Sequence, residues 1–457
     1  SGNTTIAGTQ NTLTLASDLA LGSAAMGDAL KGAQLSTIVL DRYDRAFEFE
    51  FGADATQDAA QVQRLRGAVE RGVITRNAAR PGCTASVTVG EGNLAGGLNW
   101  ASNLQIAPEE ALGVPVMAAR VTAELSSKTE VGFALSQGGK GLVRQLQGAE
   151  GSAFSIAPRA GNDVGFTDSS EVAVAVRQRM GDWGLTVSAE RGRAWLAGNR
   201  RVDGSVIGER ETRPTANFGV AADRQFGNLR TSVGVTWLSE SDTLLGGHFN
   251  SAFGLRGANT MFLDADASQS FGAWRVGGSL RYGLTDPRGT ALVASGSQLT
   301  SEAWSFDVSR SGVFGFSDTL GLRLSQPLRI SGGSLDFDLP VAFEYATETA
   351  ILDRQSLNLT PEGREIMTEL GWGVPWLGGY MRASAFHRLQ PGHFSNAPGD
   401  VGALVSFNAS FCPLAGCPTL ASRPTARIDR RGPPAGPHAR SSAWRGPKMQ
   451  CRRSRAF

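Results

Sequence analysis

The residues of this 457-residue chain that could carry covalent or metal chemistry are few: four histidines, four cysteines and some glycine-flanked serines. His387 and His393, in His-Arg-Leu-Gln-Pro-Gly-His, are spaced as an acid–base or metal pair would be. Pro391-Gly392 lies between them, however, and is a turn signal that places both near a loop joining two strands. Ser279, in Gly277-Gly278-Ser279-Leu280-Arg281, and Ser334, in Gly332-Gly333-Ser334-Leu335-Asp336, lack the closing glycine of the Gly-x-Ser-x-Gly nucleophile elbow. Cys412 and Cys417 have the spacing of half a zinc site but no second Cys/His pair to complete it. The run Gly90-Glu91-Gly92 to Gly96-Gly97 is followed by no Gly-Lys-Ser/Thr, so it does not read as a phosphate loop. The expectation is a chain with no catalytic residue, no cofactor and no metal.

The remaining residues able to do work are charged ones with a regular placement. Arg230, Arg275, Arg281 and Arg323 alternate with apolar neighbours, as do Asp264, Asp266, Asp336 and Asp338. In Leu229–Trp237 the residues Leu229, Thr231, Val233, Val235 and Trp237 share one face, with Arg230, Ser232, Gly234 and Thr236 on the other. Met261–Ser268 and Trp274–Tyr282 repeat the pattern, as does Leu335–Tyr345 with Asp336, Asp338 and Glu344 opposed to the apolar set. Period-two alternation is the mark of a strand with unlike faces. Two architectures produce it: a soluble sheet packed on one face, and a membrane barrel with lipid outside and water within.

Run length and aromatic placement favour the barrel. The runs have about 9–11 residues, as a tilted membrane strand needs, where soluble strands usually have about 5–6. Trp183, Trp237, Trp274, Phe343 with Tyr345, and Trp372 with Trp376 fall near run ends, where an aromatic girdle would sit. Links alternate between tight (Gly181-Asp182, Phe226-Gly227-Asn228) and long (about 192–214, 239–258 and 285–300). The expected fold is therefore all-β, an antiparallel outer-membrane-type β-barrel of about 12–14 strands over 117–411, with 139–170 and 350–362 ambiguous. Residues 1–116 are expected to form a linker or plug of extended strands with a short helix at 57–72, threading or capping the lumen. In a barrel the alternating Arg and Asp residues would face the lumen, opposing one another or holding a plug; in a soluble sheet they would form a solvated face.

Composition agrees with β structure. The 58 glycines are roughly 13% of the chain, against a usual ~7%. No stretch of 18 apolar residues occurs, so no helical membrane span is expected. The net charge of +2 hides two unlike parts. Residues 412–457 hold nine Arg, one Lys and one Asp, a charge of +9, and leave −7 on residues 1–411. The basic residues are not spread along a folded surface, so nucleic acid is not an expected partner. With Val401, Ala403, Val405, Phe407, Ala409 and Phe411 on one face, Phe411 reads as the aromatic C-terminal signal of an outer-membrane barrel. The aperiodic Pro/Arg-rich tail of 412–457 reads as disordered and as a frameshift or read-through extension, with a basic arm for nucleic acid or anionic lipid as the alternative. The opening Ser-Gly-Asn, without Met or an apolar h-region, suggests a start inside a longer precursor.

Several segments resemble the C-terminal region of autotransporter-type, subtilisin-like serine peptidases of alphaproteobacteria. They are Leu21-Gly22-Ser23-Ala24-Ala25-Met26-Gly27-Asp28-Ala29-Leu30 with Val39-Leu40-Asp41-Arg42-Tyr43-Asp44-Arg45-Ala46-Phe47, Ser301-Glu302-Ala303-Trp304-Ser305-Phe306-Asp307, Leu322–Arg329 and Leu357–Glu365. The resemblance covers about 20–411. It implies an upstream protease passenger, a linker, and a barrel that anchors or exports the passenger, with outer-membrane lipid and the outer-membrane assembly machinery as partners. No Gly-Thr-Ser-Met-Ala block around a nucleophilic serine is present, nor the Asp and His blocks that precede it. Peptidase activity is therefore not assigned to these residues. The alternative is a soluble β-rich accessory module or hydrolase fragment of a secreted serine peptidase.

Overall fold

The computed structural model describes residues 20–52 except 44, 73–90 except 81, 116–148 except 137, 154–196 except 155, and 212–409 except 316, 377 and 378, with short pieces at 4–6 and 9–11. The expected helix at 57–72, Phe411 and the tail of 412–457 lie outside the described residues.

The N-terminal part holds β1 (Thr4–Ile6), β2 (Thr9–Asn11), β3 (Ala20–Leu21), β4 (Gln34–Leu40) and β5 (Ala46–Gly52). β6 (Val73–Arg80), β7 (Cys83–Gly90), β8 (Val116–Ser126) and β9 (Thr129–Leu135) follow, then the one α-helix among the described residues, α1 (Gly139–Leu146). Beyond it run β10 (Asp168–Met180), β11 (Trp183–Trp195), β12 (Thr212–Phe226), β13 (Leu229–Ser241), the short β14 (His248–Phe249), β15 (Leu255–Phe271) and β16 (Trp274–Gly289). The last are β17 (Gln298–Ser311), β18 (Thr319–Glu344), β19 (Thr349–Asn358), β20 (Ile366–Trp376), β21 (Gly379–Leu389) and β22 (Asp400–Ala409).

All but β1–β5 and β14 belong to one antiparallel sheet of sixteen strands, in which successive strands pair except that β19 and β20 each pair with a different half of β18. Fourteen of these strands lie beyond residue 115; β6 and β7 extend the sheet ahead of residue 117, through the pairing of β7 with β8. β6 comes back to within 8 Å of β22, and the sheet wraps into a barrel. Tight hairpins at Gly181-Asp182, Gly227-Asn228 and Gly272-Ala273 gather at one end, and the long connections gather at the other.

The burial pattern decides between the two architectures left open by the sequence. Outward along the wall stand Val174, Val187, Val220, Val233, Leu263, Leu280, Phe306 and Leu322, all exposed. Inward stand Arg177, Asp223, Ser279, Arg281, Ser305, Asp307, Arg323 and Glu369, all buried. A sheet in water buries its apolar face; here the polar face is buried and the apolar face is bare, which is stable only against lipid. Strand pairing along the sheet also satisfies backbone groups that lipid could not.

Two aromatic belts bound this apolar band. Trp183, Phe226, Phe271, Trp274 and Trp376 stand outward near the tight turns, each about half exposed. Phe218, Trp237 and Tyr282 stand outward eight residues along their strands from Phe226, Leu229 and Trp274. At ~3.3 Å per residue and a tilt of ~40°, eight residues rise about 20 Å, close to the ~25 Å band of an outer-membrane barrel. Four of the expected girdle residues, Trp183, Trp237, Trp274 and Trp376, therefore face outward. Phe343 and Tyr345 instead stack edge to face at the far tip of β18, and Trp372 turns its indole N–H to Asp318 Oδ2 at 3.0 Å.

Candidate functional site: the filled lumen

In the segment between β9 and β10, residues 138–148 and 156–167 lie inside the barrel. Its helix α1 is rich in glycine and has little helix preference of its own. Tertiary packing holds it, with Leu142 and Leu146 buried against Ala134, Ala173 and Ala175 on the inner wall. A Cβ on Gly132 would lie 2.6 Å from Leu142 Cδ1, so small wall residues admit the helix. The opposite face of α1, with Lys140, Arg144 and Gln147, looks across a cavity of about 90 Å³ towards β12, β13 and β15.

Beyond α1 the segment is irregular, and the wall satisfies its backbone. Arg177 pairs with Asp223 at 2.5 Å and donates to Leu146 O at 3.1 Å. Arg281 pairs with Asp264 at 2.6 Å and donates to Asp163 O at 2.8 Å. Arg323 pairs with Asp307 at 3.1 Å and donates to Ala157 O at 3.2 Å. Glu369 accepts from Ile156 N and Ala157 N at 3.0 and 2.6 Å, and Ser279 Oγ accepts from Ala160 N at 3.1 Å. Arg159, on the segment itself, reaches Asp266 at 2.8 Å. A single guanidinium thus neutralises a carboxylate on the next strand (Arg281, Arg323) or the next but one (Arg177) and caps a carbonyl of the segment.

Six of the eight charged residues expected in the lumen belong to this interior. Arg281, Arg323, Asp264 and Asp266 hold the segment as described, Arg230 donates to Gly148 O, and Arg275 donates to Ser268 Oγ at 3.4 Å. Asp336 and Asp338 do not belong to it. In the second half of β18 it is Leu335, Phe337 and Leu339 that face inward, fully buried, while Asp338 pairs with Arg354 of β19 on the outer face at 3.0 Å. The physical reason is that β18 continues past the lipid band. Beyond Gly333 the outer face meets water, so the rule that places apolar residues outside reverses. Gly333 marks the bend: its φ is +103° and a Cβ there would lie 2.0 Å from Gln298 O.

The two histidines lead separate lives. His387 is exposed on the outer face of β21, opposite Val401. His393 is buried in the β21–β22 loop, where Nδ1 accepts from Glu365 N at 2.9 Å and Nε2 faces Leu328 O at 3.2 Å. Among the described residues no group of three or more His, Cys, Asp or Glu could hold a metal. Ser279 Oγ is engaged with Ser305 Oγ at 2.7 Å and with the lumen segment.

Above this polar zone the long-loop end has an apolar core. Leu238, Phe253, Phe262, Leu299, Leu328, Ile330 and Phe337 pack with Ala25, Met26, Leu30, Leu35, Phe49 and Phe51 from the N-terminal part of the chain. An N-terminal plug or cap was expected, but the residues of this zone carry no signal of their own, being spread over loops and strand ends with no shared period.

Sixteen antiparallel strands, a bare apolar band between aromatic belts, and a polar, ion-paired interior define a transmembrane β-barrel of bacterial outer-membrane type. No family model matches the chain, and no curated protein matches it. Among solved structures it is similar to an anion-selective porin from Comamonas acidovorans, at 12% identity over 82% of this chain and 96% of that one, with a TM-score of 0.39. A second porin is similar at 13% identity over 72% and 89%, with a TM-score of 0.35. An outer membrane protein of Vibrio cholerae is similar at 7% identity over 73% and 94%, also at 0.35. The assignment of the barrel rests on the strand faces, not on these distant likenesses.

Proposed function

We propose that this barrel is the outer-membrane anchor and translocator of an autotransporter whose passenger lies upstream. The observation that carries the reading is the seat of the N-terminal part: residues from 21–52 pack into the long-loop end, the face on which an upstream passenger would then stand. The filled lumen supports an anchor over an open diffusion pore, since residues 138–148 and 156–167 lie within it and are bonded to several wall strands. The subtilisin-like nature of the passenger rests on the resemblance of 20–411 to such peptidases. A soluble accessory module would not keep Val233, Leu263 and Leu280 bare around a buried set of ion pairs.

The test is a reporter joined ahead of Ser1 behind a secretion signal, in a bacterium with an outer membrane. Protease and antibody added to intact cells should reach the reporter. A barrel that inserts in the membrane while the reporter stays shielded inside the cell would refute the reading.

A further inference from the structure

The N-terminal part does not merely lie on the barrel; it completes the mouth. Ala25 bridges two barrel elements, its N–H donating to Gly165 O at 2.8 Å and its carbonyl accepting from Ile330 N at 3.0 Å. Asp28 Oδ1 accepts from Glu362 N at 2.8 Å and Gly363 N at 3.3 Å; its Oδ2 accepts from Ser395 N and Ser395 Oγ at 2.8 and 2.6 Å. Ser36 exchanges two hydrogen bonds with the Gln355 amide, at 3.0 and 2.6 Å, and β3 pairs with β14. Met26 and Leu30 are fully buried, and Phe51 packs edge-on against Phe253, with ring centroids 4.7 Å apart. Gly27 has a φ of +49°, and its Cβ would fall 2.4 Å from His393 O, so backbone meets backbone there.

We propose that the long-loop mouth is a receptor for residues 21–52 and holds them without the covalent link to β6. The occupant is this chain's own segment: each contact named above lies between 20–52 and residues beyond 160, and none passes through 53–72. Removing the segment would uncover Phe253, Leu328, Ile330 and Phe337 and orphan the N–H groups of Glu362, Gly363 and Ser395 together. A chain cut between Gly52 and β6 therefore keeps its upstream part on the barrel, by packing and hydrogen bonds alone. This holds whether or not the barrel exports a passenger.

The experiment places a site-specific protease sequence within 53–72 of the full chain, folds the protein in mild detergent, cuts it, and separates the products by size exclusion in the same detergent. The wild-type N-terminal fragment should elute with the barrel in equal amount. The Met26→Asp, Leu30→Asp fragment should be lost from a barrel that still shifts its gel mobility on heating. Elution of the wild-type fragment apart from such a barrel overturns the proposal, and so does full retention of the doubly substituted fragment.

Discussion

Val233→Arg separates a membrane barrel from a soluble sheet more sharply than any other single substitution. Val233 is 54% exposed, on the outer face of β13, four residues from Leu229 and four from Trp237. At ~3.3 Å per residue and ~40° tilt it lies about 10 Å from each belt, near the middle of the apolar band. An arginine at that depth costs about 2–4 kcal/mol in a membrane barrel. At tenfold per ~1.4 kcal/mol, the folded-to-unfolded ratio falls by roughly 30- to 1,000-fold. The same exposure on a soluble sheet would cost less than about 0.5 kcal/mol. Gln269→Arg is the control, outward and exposed but two residues from the lower belt at Phe271, where the cost is about 0–1 kcal/mol. Urea titration of the protein in lipid vesicles, read by the loss of the heat-shifted gel band, gives both values. Equal, small costs for Val233→Arg and Gln269→Arg would refute the assignment of this face to lipid.

Glu365 and Arg388 are each 1% exposed and pair at 2.9 Å, so Glu365→Ala leaves a buried guanidinium with only the partly exposed Asp400 and should cost about 3–5 kcal/mol in the same titration. Burial raises the Asp28 carboxyl, but hydrogen bonds from Ser395, Gly363 and Glu362 outweigh it and hold it below the usual range. With the folded value depressed, its contribution is full above the unfolded value of about 3.9 and is lost as pH falls through the folded value. Limited proteolysis between pH 7 and pH 3 should therefore cut residues 21–52 only in acid, and Asp28→Asn should flatten that dependence. Gly27→Ala should weaken the same seat by more than about 1 kcal/mol, through its positive φ and the close His393 carbonyl; proteolysis of 21–52 at neutral pH reads it.

Most of the wall was legible because each strand obeys one rule along its whole length in lipid. Leu229–Trp237 and Trp274–Tyr282 alternate without interruption, and their apolar residues do stand outward. The rule misled at Asp336 and Asp338 because a period of two reports that the faces differ, not which solvent each one meets. Past Gly333 the outer solvent is water, and the same alternation points the other way. The lumen segment was illegible for a different reason. Its helix owes its form to packing on Ala134, Ala173 and Ala175 of the wall, so its own glycine-bearing stretch carries no clear period and 139–170 stays ambiguous in the sequence. The seat of residues 21–52 depends on backbone contacts such as Ala25 with Ile330, which no side-chain pattern encodes. The ion pairs were legible as charge on a polar face; their second task, capping the carbonyls of Ala157 and Asp163, was not.

Gel mobility tests the central claim most directly. The purified chain and a version ending at Phe411 are run on SDS gels in mild detergent, unboiled and boiled. Both should migrate differently before and after boiling, as a closed barrel that resists SDS until heated must. No shift in either, together with solubility in plain buffer, would contradict a membrane barrel.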